Sequence, residues 1–294
     1  MTDPHLDEEE EKPSSPYPTV QWFPGHIAKA QRELREKLQI IDFVLELVDA
    51  RIPASSRFGQ TTELIKGKPS IVVLTKTDLA DPARTQAWIK LLRSQGQPAI
   101  AMNSLKGEGI SQLKQEIAKL NEVVQAKVKA RGRLPRPARI MVVGLPNVGK
   151  SSLINRLTRT GRARTGDKPG VTRAVSWIRI GKDLELMDTP GIIPPKLGEP
   201  IVALKLAMTG GVGSQAYDPV EVARFAIEIL KEHAPKTLDA FGPEPSLEVI
   251  GRKRGFLKQG DQVDHERTAR TFLTDLRGGA LGPLTLDDPA AHGG

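Results

Sequence analysis

The segment Gly144-Leu145-Pro146-Asn147-Val148-Gly149-Lys150-Ser151 constrains this chain more than any other, because it fits the pattern G-x-x-x-x-G-K-[ST] in full. The run before it, 139–143 (RIMVV), reads as a buried strand, and a helix is expected from about residue 150; a strand, tight loop and helix in that order are the context the pattern needs. Glycines let successive backbone N–H groups curl around an anion at the helix N-terminus, Lys150 offers its charge to β- and γ-phosphates, and the Ser151 hydroxyl can ligate Mg2+. Asn147, Val148, Gly149, Lys150, Ser151 and Ser152 form the expected phosphate-contacting set, with Lys150 also counted as catalytic.

Apolar, β-branched-rich runs at 41–48, 70–74 and 98–102 precede this loop, separated by helix-like stretches near 60–66 and 82–95. A further helix is expected near 108–120. Such alternation predicts an α/β fold whose mostly parallel sheet is flanked by helices. Residues 175–180 and 184–187 read as a paired hairpin. Segment 22–38 opens with Trp22-Phe23-Pro24-Gly25-His26 and continues at helical spacing, and the basic, Pro-bearing stretch 121–139 reads as a joint between two halves.

Two further segments complete a phosphate-sensing set. Asp188-Thr189-Pro190-Gly191 follows the strand at 184–187 and matches D-x-x-G, whose Asp holds Mg2+ through water and whose Gly N–H senses the γ-phosphate. Thr172 stands where a switch Mg2+ ligand belongs. Base identity rests on Thr75-Lys76-Thr77-Asp78, which resembles the [NT]-K-x-D motif that reads guanine. A carboxylate at Asp78 can accept from guanine N1–H and its 2-amino group, and adenine offers neither donor there. Thr75 stands where Asn is commoner, from which a weaker nucleotide affinity is expected. Asn103, Ser104 and Leu105 resemble a second guanine-contacting loop. The order is unusual, since both base-reading segments precede the phosphate loop, so the fold must be a circular permutation with its old termini joined through 121–139.

From residue 218 the pattern becomes helical, with Asp218 as a cap and Pro219 in a first turn, and a last helix at 265–277 stops at Gly278-Gly279. The expected organisation is an acidic disordered tail over 1–18, a permuted GTPase domain over 19–205, a small all-α domain over 206–282, and a flexible tail over 283–294. The first eleven residues hold six acids, so the net charge of +8 comes from the folded body and favours an anionic partner. Basic residues gather at 156–182 and at Arg252-Lys253-Arg254 with Lys258, and a contact with the phosphate backbone of folded RNA is expected of them. Cysteine is absent, which excludes disulfides, thiolate metal sites and Cys nucleophiles. No signal-peptide layout and no apolar run near the roughly 18 residues of a membrane span are present, so a cytoplasmic protein without membrane contact is expected.

The permuted order, the segments 22–30 (WFPGHIAKA) and Asp49-Ala50-Arg51-Ile52-Pro53, and the late stretch 271–282 (TFLTDLRGGALG) together resemble the ribosome biogenesis GTPase A family of circularly permuted P-loop GTPases. The resemblance implies GTP/GDP and Mg2+ as ligands, a large ribosomal subunit precursor and its rRNA as partners, no DNA, a monomer, action late in large-subunit (50S) maturation, and turnover stimulated by the subunit. It also points to His26 as the group that positions water, because Ile192 follows Gly191 where a Gln is usual and an aliphatic side chain cannot do so. Two readings of His26 stand: orienting water, or packing at its helix. Asn147 matches a position that ligates K+ in K+-stimulated relatives, and it can equally brace the loop. Two other functions remain open, a permuted GTPase acting on another RNA or particle and a GTP-dependent binding module with negligible hydrolysis.

Overall fold

Strands form where β-branched residues alternate between two buried faces. The computed structural model describes residues 18, 20, 32, 35–57, 59–160, 177–187 and 199–292. Six strands, β1 (Phe43–Asp49), β2 (Ser70–Thr75), β3 (Ala99–Ala101), β4 (Ala138–Gly144), β5 (Trp177–Ile180) and β6 (Leu184–Met187), make one sheet in the order β3-β2-β1-β4-β6-β5. Every neighbouring pair is parallel except β5 with β6 at the edge. Each of the seven β1 residues is buried. Phe43, Leu45 and Leu47 point into one core cluster while Val44 and Val48 serve clusters on the opposite face, as the two-residue period of a strand requires.

Helices α1 (Gly59–Ile65), α2 (Pro82–Ser94), α3 (Ile110–Ala130) and α4 (Lys150–Thr160) lie between the strands. Asp81 caps α2 by accepting from the Arg84 N–H, with Pro82 in the first turn. Helix α3 runs on to Ala130, well past the expected end at 120, because Leu113, Ile117, Leu120, Val124 and Val128 keep its apolar stripe against the sheet. The joint therefore shrinks to 131–137. Its far end is pinned by a bidentate pair from Arg136 to Asp42, at 2.8 and 2.9 Å.

Beyond the sheet come α5 (Pro200–Thr209), α6 (Pro219–His233), α7 (Leu247–Lys253) and α8 (His265–Gly278). Asp218 caps α6 through the Val220 and Glu221 N–H groups, and Gly279 ends α8 at φ 80°. This region is not wholly helical, since β7 (Leu257–Lys258) and β8 (Gln262–Val263) form a small antiparallel hairpin. The boundary expected between 205 and 206 falls inside α5, whose Leu204, Leu206 and Ala207 share a core with Val222, Ala226, Phe272 and Leu273. A second correction concerns 283–294, expected to be flexible: Leu284, Thr285, Leu286 and Asp287 are each 2–3% exposed, held against the sheet domain by the bonds described below. No helix among the described residues is long and apolar enough to cross a membrane.

Candidate functional site

Strand β4 delivers the chain to the phosphate loop, and α4 carries it away. Gly144 has φ 149°, and a Cβ there would stand 2.6 Å from the Leu47 carbonyl oxygen on the neighbouring strand, so no other residue fits. Asn147 at φ 58° and Gly149 at φ 106° turn the backbone between them. The Lys150 ammonium donates to the Gly144 oxygen at 3.0 Å and to the Leu145 oxygen, closing over its own loop. Burial lowers its pKa to about 8, and no carboxylate among the described residues pairs with it. A positive charge surrounded by carbonyl dipoles at a helix N-terminus is a place for phosphate. Ser151 and Ser152 stand exposed in the first turn of α4.

The base-reading segments come to the same place. Thr75, the last residue of β2, sets its Oγ1 2.6 Å from the Val148 carbonyl oxygen and 3.0 Å from that of Val48. The hydroxyl read in the sequence as a short substitute for Asn thus ties the base-reading segment to the phosphate loop. Lys76, at φ 56°, places Nζ 3.0 Å from Asp49 and lines a small cavity together with Leu145, Pro146, Asn147 and Val148. Asp78 is exposed in the turn that follows.

Asn103 shapes its loop, because its Oδ1 accepts from the Leu105 and Lys106 N–H groups at 3.0 and 3.1 Å. Its Nδ2 and the Ser104 hydroxyl are buried with no protein partner. Two orphaned polar atoms beside the base loop, with a lysine in the phosphate loop that has no carboxylate partner among the described residues, fit a nucleotide with a polar base edge. Leu105 is 79% exposed. Arg156 of α4 donates to the Ser104 and Leu105 carbonyl oxygens, the latter at 2.6 Å, so the helix behind the phosphates also holds the second base loop.

Sequence reasoning missed a buried charge cluster between these parts. Asp49 ends β1 and pairs with Arg51 at 2.7 Å and with Lys76. Burial alone would push this carboxyl up; the Arg51 and Lys76 charges overcome it and hold the pKa at about 2. Arg51, 1% exposed, also donates to the Thr209 and Arg277 carbonyl oxygens at 2.8 and 3.4 Å. Arg277 in turn donates to the Ala207 oxygen at 2.6 Å, and Asn147 Nδ2 to that of Gly210 at 3.2 Å. The end of α5 therefore sits on the phosphate loop. An acid and an arginine leaving a strand that is apolar but for Glu46 were the available signal.

Basic residues of the helical region are largely engaged. Arg252 pairs with Glu248 and Asp261, Arg254 with Asp275, and Lys258 with Asp264. By contrast, Lys127, Lys129, Arg131 and Arg133 stand exposed at the end of α3 and in the joint. His26, Thr172, Asp188 and Gly191, named above for water, Mg2+ and the γ-phosphate, lie outside the described residues, as do Ile192 and most of 156–182. Among the described residues no group of three His, Cys, Asp or Glu could hold a metal.

A phosphate loop after β4, base-reading loops after β2 and β3, and a helical region following in the chain define a circularly permuted P-loop GTPase. Comparisons agree. The family model described as "50S ribosome-binding GTPase" matches residues 139–231. The Ribosome biogenesis GTPase A of Bacillus cereus is 43% identical over 93% of this chain and 95% of its own length, and that of Priestia megaterium is 45% identical over 92% and 98%. Among solved structures, GNP-bound YlqF from T. maritima superposes with TM-score 0.63 at 27% identity, over 89% of this chain and 98% of that one. The chain belongs to the ribosome biogenesis GTPase A family.

Proposed function

We propose that this GTPase acts late in maturation of the large ribosomal subunit, binding a precursor particle through its rRNA and hydrolysing GTP when seated there. One observation carries the nucleotide half of the reading: the 2.6 Å contact of Thr75 with Val148 joins a guanine-type motif to a phosphate loop 73 residues away in sequence. Asp78 reads the base edge, Lys150 neutralises the phosphates, and Ser151, Thr172 and, through water, Asp188 hold Mg2+, which offsets phosphate charge when bound. Asn147 has its Nδ2 on Gly210, which leaves Oδ1 as the atom to offer K+. His26 is the water-orienting group, and the Gly191 N–H reports the γ-phosphate. The partner is supported by the names of the relatives, by the net charge of +8, and by the free cations Lys127, Lys129, Arg131 and Arg133.

The test is phosphate release from GTP with purified large-subunit precursors, with small subunits, and alone, in KCl and in NaCl. Turnover should rise with large-subunit particles only, more in KCl, and fall in His26→Ala with GTP binding intact. Equal turnover with and without particles would remove the stimulation, and negligible turnover in both would favour a GTP-dependent binding module, the reading that Ile192 after Gly191 permits. Stimulation by small subunits alone would redirect it to another particle.

A further inference from the structure

The segment 284–287 lies across the sheet domain as a buried strap, and its contacts converge on the loop that contains Asp78. The Leu284 N–H donates to the Leu79 oxygen at 3.0 Å, one residue beyond Asp78. Thr285 Oγ1 accepts from the Asp81 N–H at 3.2 Å, and the Thr285 carbonyl oxygen takes Arg84 Nη1 at 2.6 Å. The Leu286 N–H reaches the Arg51 oxygen at 2.7 Å. Loop 76–81 is thus gripped from two sides. Thr75 and Lys76 fix its entry through Val148 and Asp49, and the strap fixes its exit.

Asp287 fastens the strap. Its two carboxylate oxygens accept from the Ser55 N–H at 2.7 Å, the Ser55 hydroxyl at 2.9 Å and Lys205 Nζ at 2.8 Å, while its carbonyl oxygen accepts from Trp88 Nε1 at 3.1 Å. Asp287 is 3% exposed, so these charge-assisted bonds are made in a dry setting where they hold best. Lys205 belongs to α5, and α5 ends at Gly210 on Asn147 of the phosphate loop. One carboxylate therefore joins the loop after β1 to α5, at the end of a strap whose Leu284 and Thr285 hold the base-reading loop. Gly279 adds a steric constraint, since a Cβ there would stand 2.7 Å from Leu79 Cδ2.

We propose that the strap 284–287, fastened by Asp287, is the positioning element for the guanine-reading loop 76–81, so that seating of the helical region and affinity for the guanine base are one coupled equilibrium. This rests on the reading of Asp78 as the guanine ligand. A hydrogen bond between a carboxylate and a base edge tolerates little displacement, whereas residues 144–151 are held mainly by the strand and the helix that flank them, β4 and α4. A loosened strap should then cost base recognition and leave phosphate binding in place. A partner that lifts the helical region would release nucleotide by the same route.

The experiment measures binding of fluorescent GDP and of inosine diphosphate, which lacks the 2-amino donor, to wild type, Asp287→Asn, Asp287→Ala and Thr285→Val. Asp287→Ala should release GDP about ten-fold faster, and Thr285→Val by a smaller factor, with inosine diphosphate affected less, so that the preference for GDP shrinks. Asp287→Asn, which keeps the shape and loses the charge, should fall between. If Asp287→Ala does not fold, Thr285→Val decides, because it leaves the fastening intact. The inference is overturned if folded variants keep GDP release within about two-fold of wild type, or if both nucleotides weaken equally, which would indicate a general loss of stability. If wild type itself shows no preference for GDP, the assignment of Asp78 has failed first, and the inference falls with it.

Discussion

Among the described residues Arg51 is the largest side chain that is fully buried, and it can be buried only because Asp49 and the carbonyl oxygens of Thr209 and Arg277 surround it. Asp49→Ala would leave that guanidinium uncompensated and should cost about 3–5 kcal/mol in urea unfolding. Because the Asp49 pKa falls from the usual 3.8 to about 2 on folding, its contribution is complete above pH 4 and is lost as pH drops through 2. The loss amounts to about 2 kcal/mol, and Asp49→Asn, lacking the titrating group, should show a correspondingly flatter acid limb. A wild-type acid limb matching that of the variant would refute the pairing. The phosphate loop was legible at this scale because Gly144 and Gly149 need dihedrals that few residues adopt. The hydroxyl of Thr75 was not, because its partner is a carbonyl oxygen, which a sequence does not mark.

At the level of elements, α3 shows how composition can conceal periodicity. The cations at 127–133 read as a joint, yet Val124 and Val128 continue the apolar stripe and the helix follows them. Helix α5 escaped for the opposite reason. Six of its ten residues are buried, so it lacks the polar face that makes a helix recognisable. The start of α3 offers a test, because Gly109 has φ 83° and a Cβ there would stand 2.2 Å from the Ala101 oxygen on β3. Gly109→Ala should destabilise the protein by more than about 1 kcal/mol, and should also displace the loop at Asn103 that α3 follows, so nucleotide affinity falls with stability. Unchanged thermal unfolding in that variant would show that the helix start has room the structure does not indicate.

For the whole molecule, alternation of strand and helix and the order of motifs gave the parallel sheet and its permutation, because both follow from local patterns laid out along the chain. The strap did not announce itself. Residues 283–294 lack periodicity and contain Gly, Pro and Asp, the composition of a tail, and what seats 284–287 is a set of side-chain and backbone bonds to partners some 200 positions earlier. Long-range seating of that kind leaves no trace in a local window.

The exposed joint has a practical consequence. Leu134, 88% exposed, lies in the joint between the half that supplies Thr75 and Asp78 and the half that supplies Val148 and Lys150. A protease site placed there would yield two fragments meeting along the β1–β4 pairing, each holding one side of a single ligand. GDP at a hundred times its dissociation constant should tighten their reassembly by about 2.7 kcal/mol, roughly a hundred-fold. The nicked protein would then serve as a complementation sensor, in which a small molecule is the glue between two polypeptides.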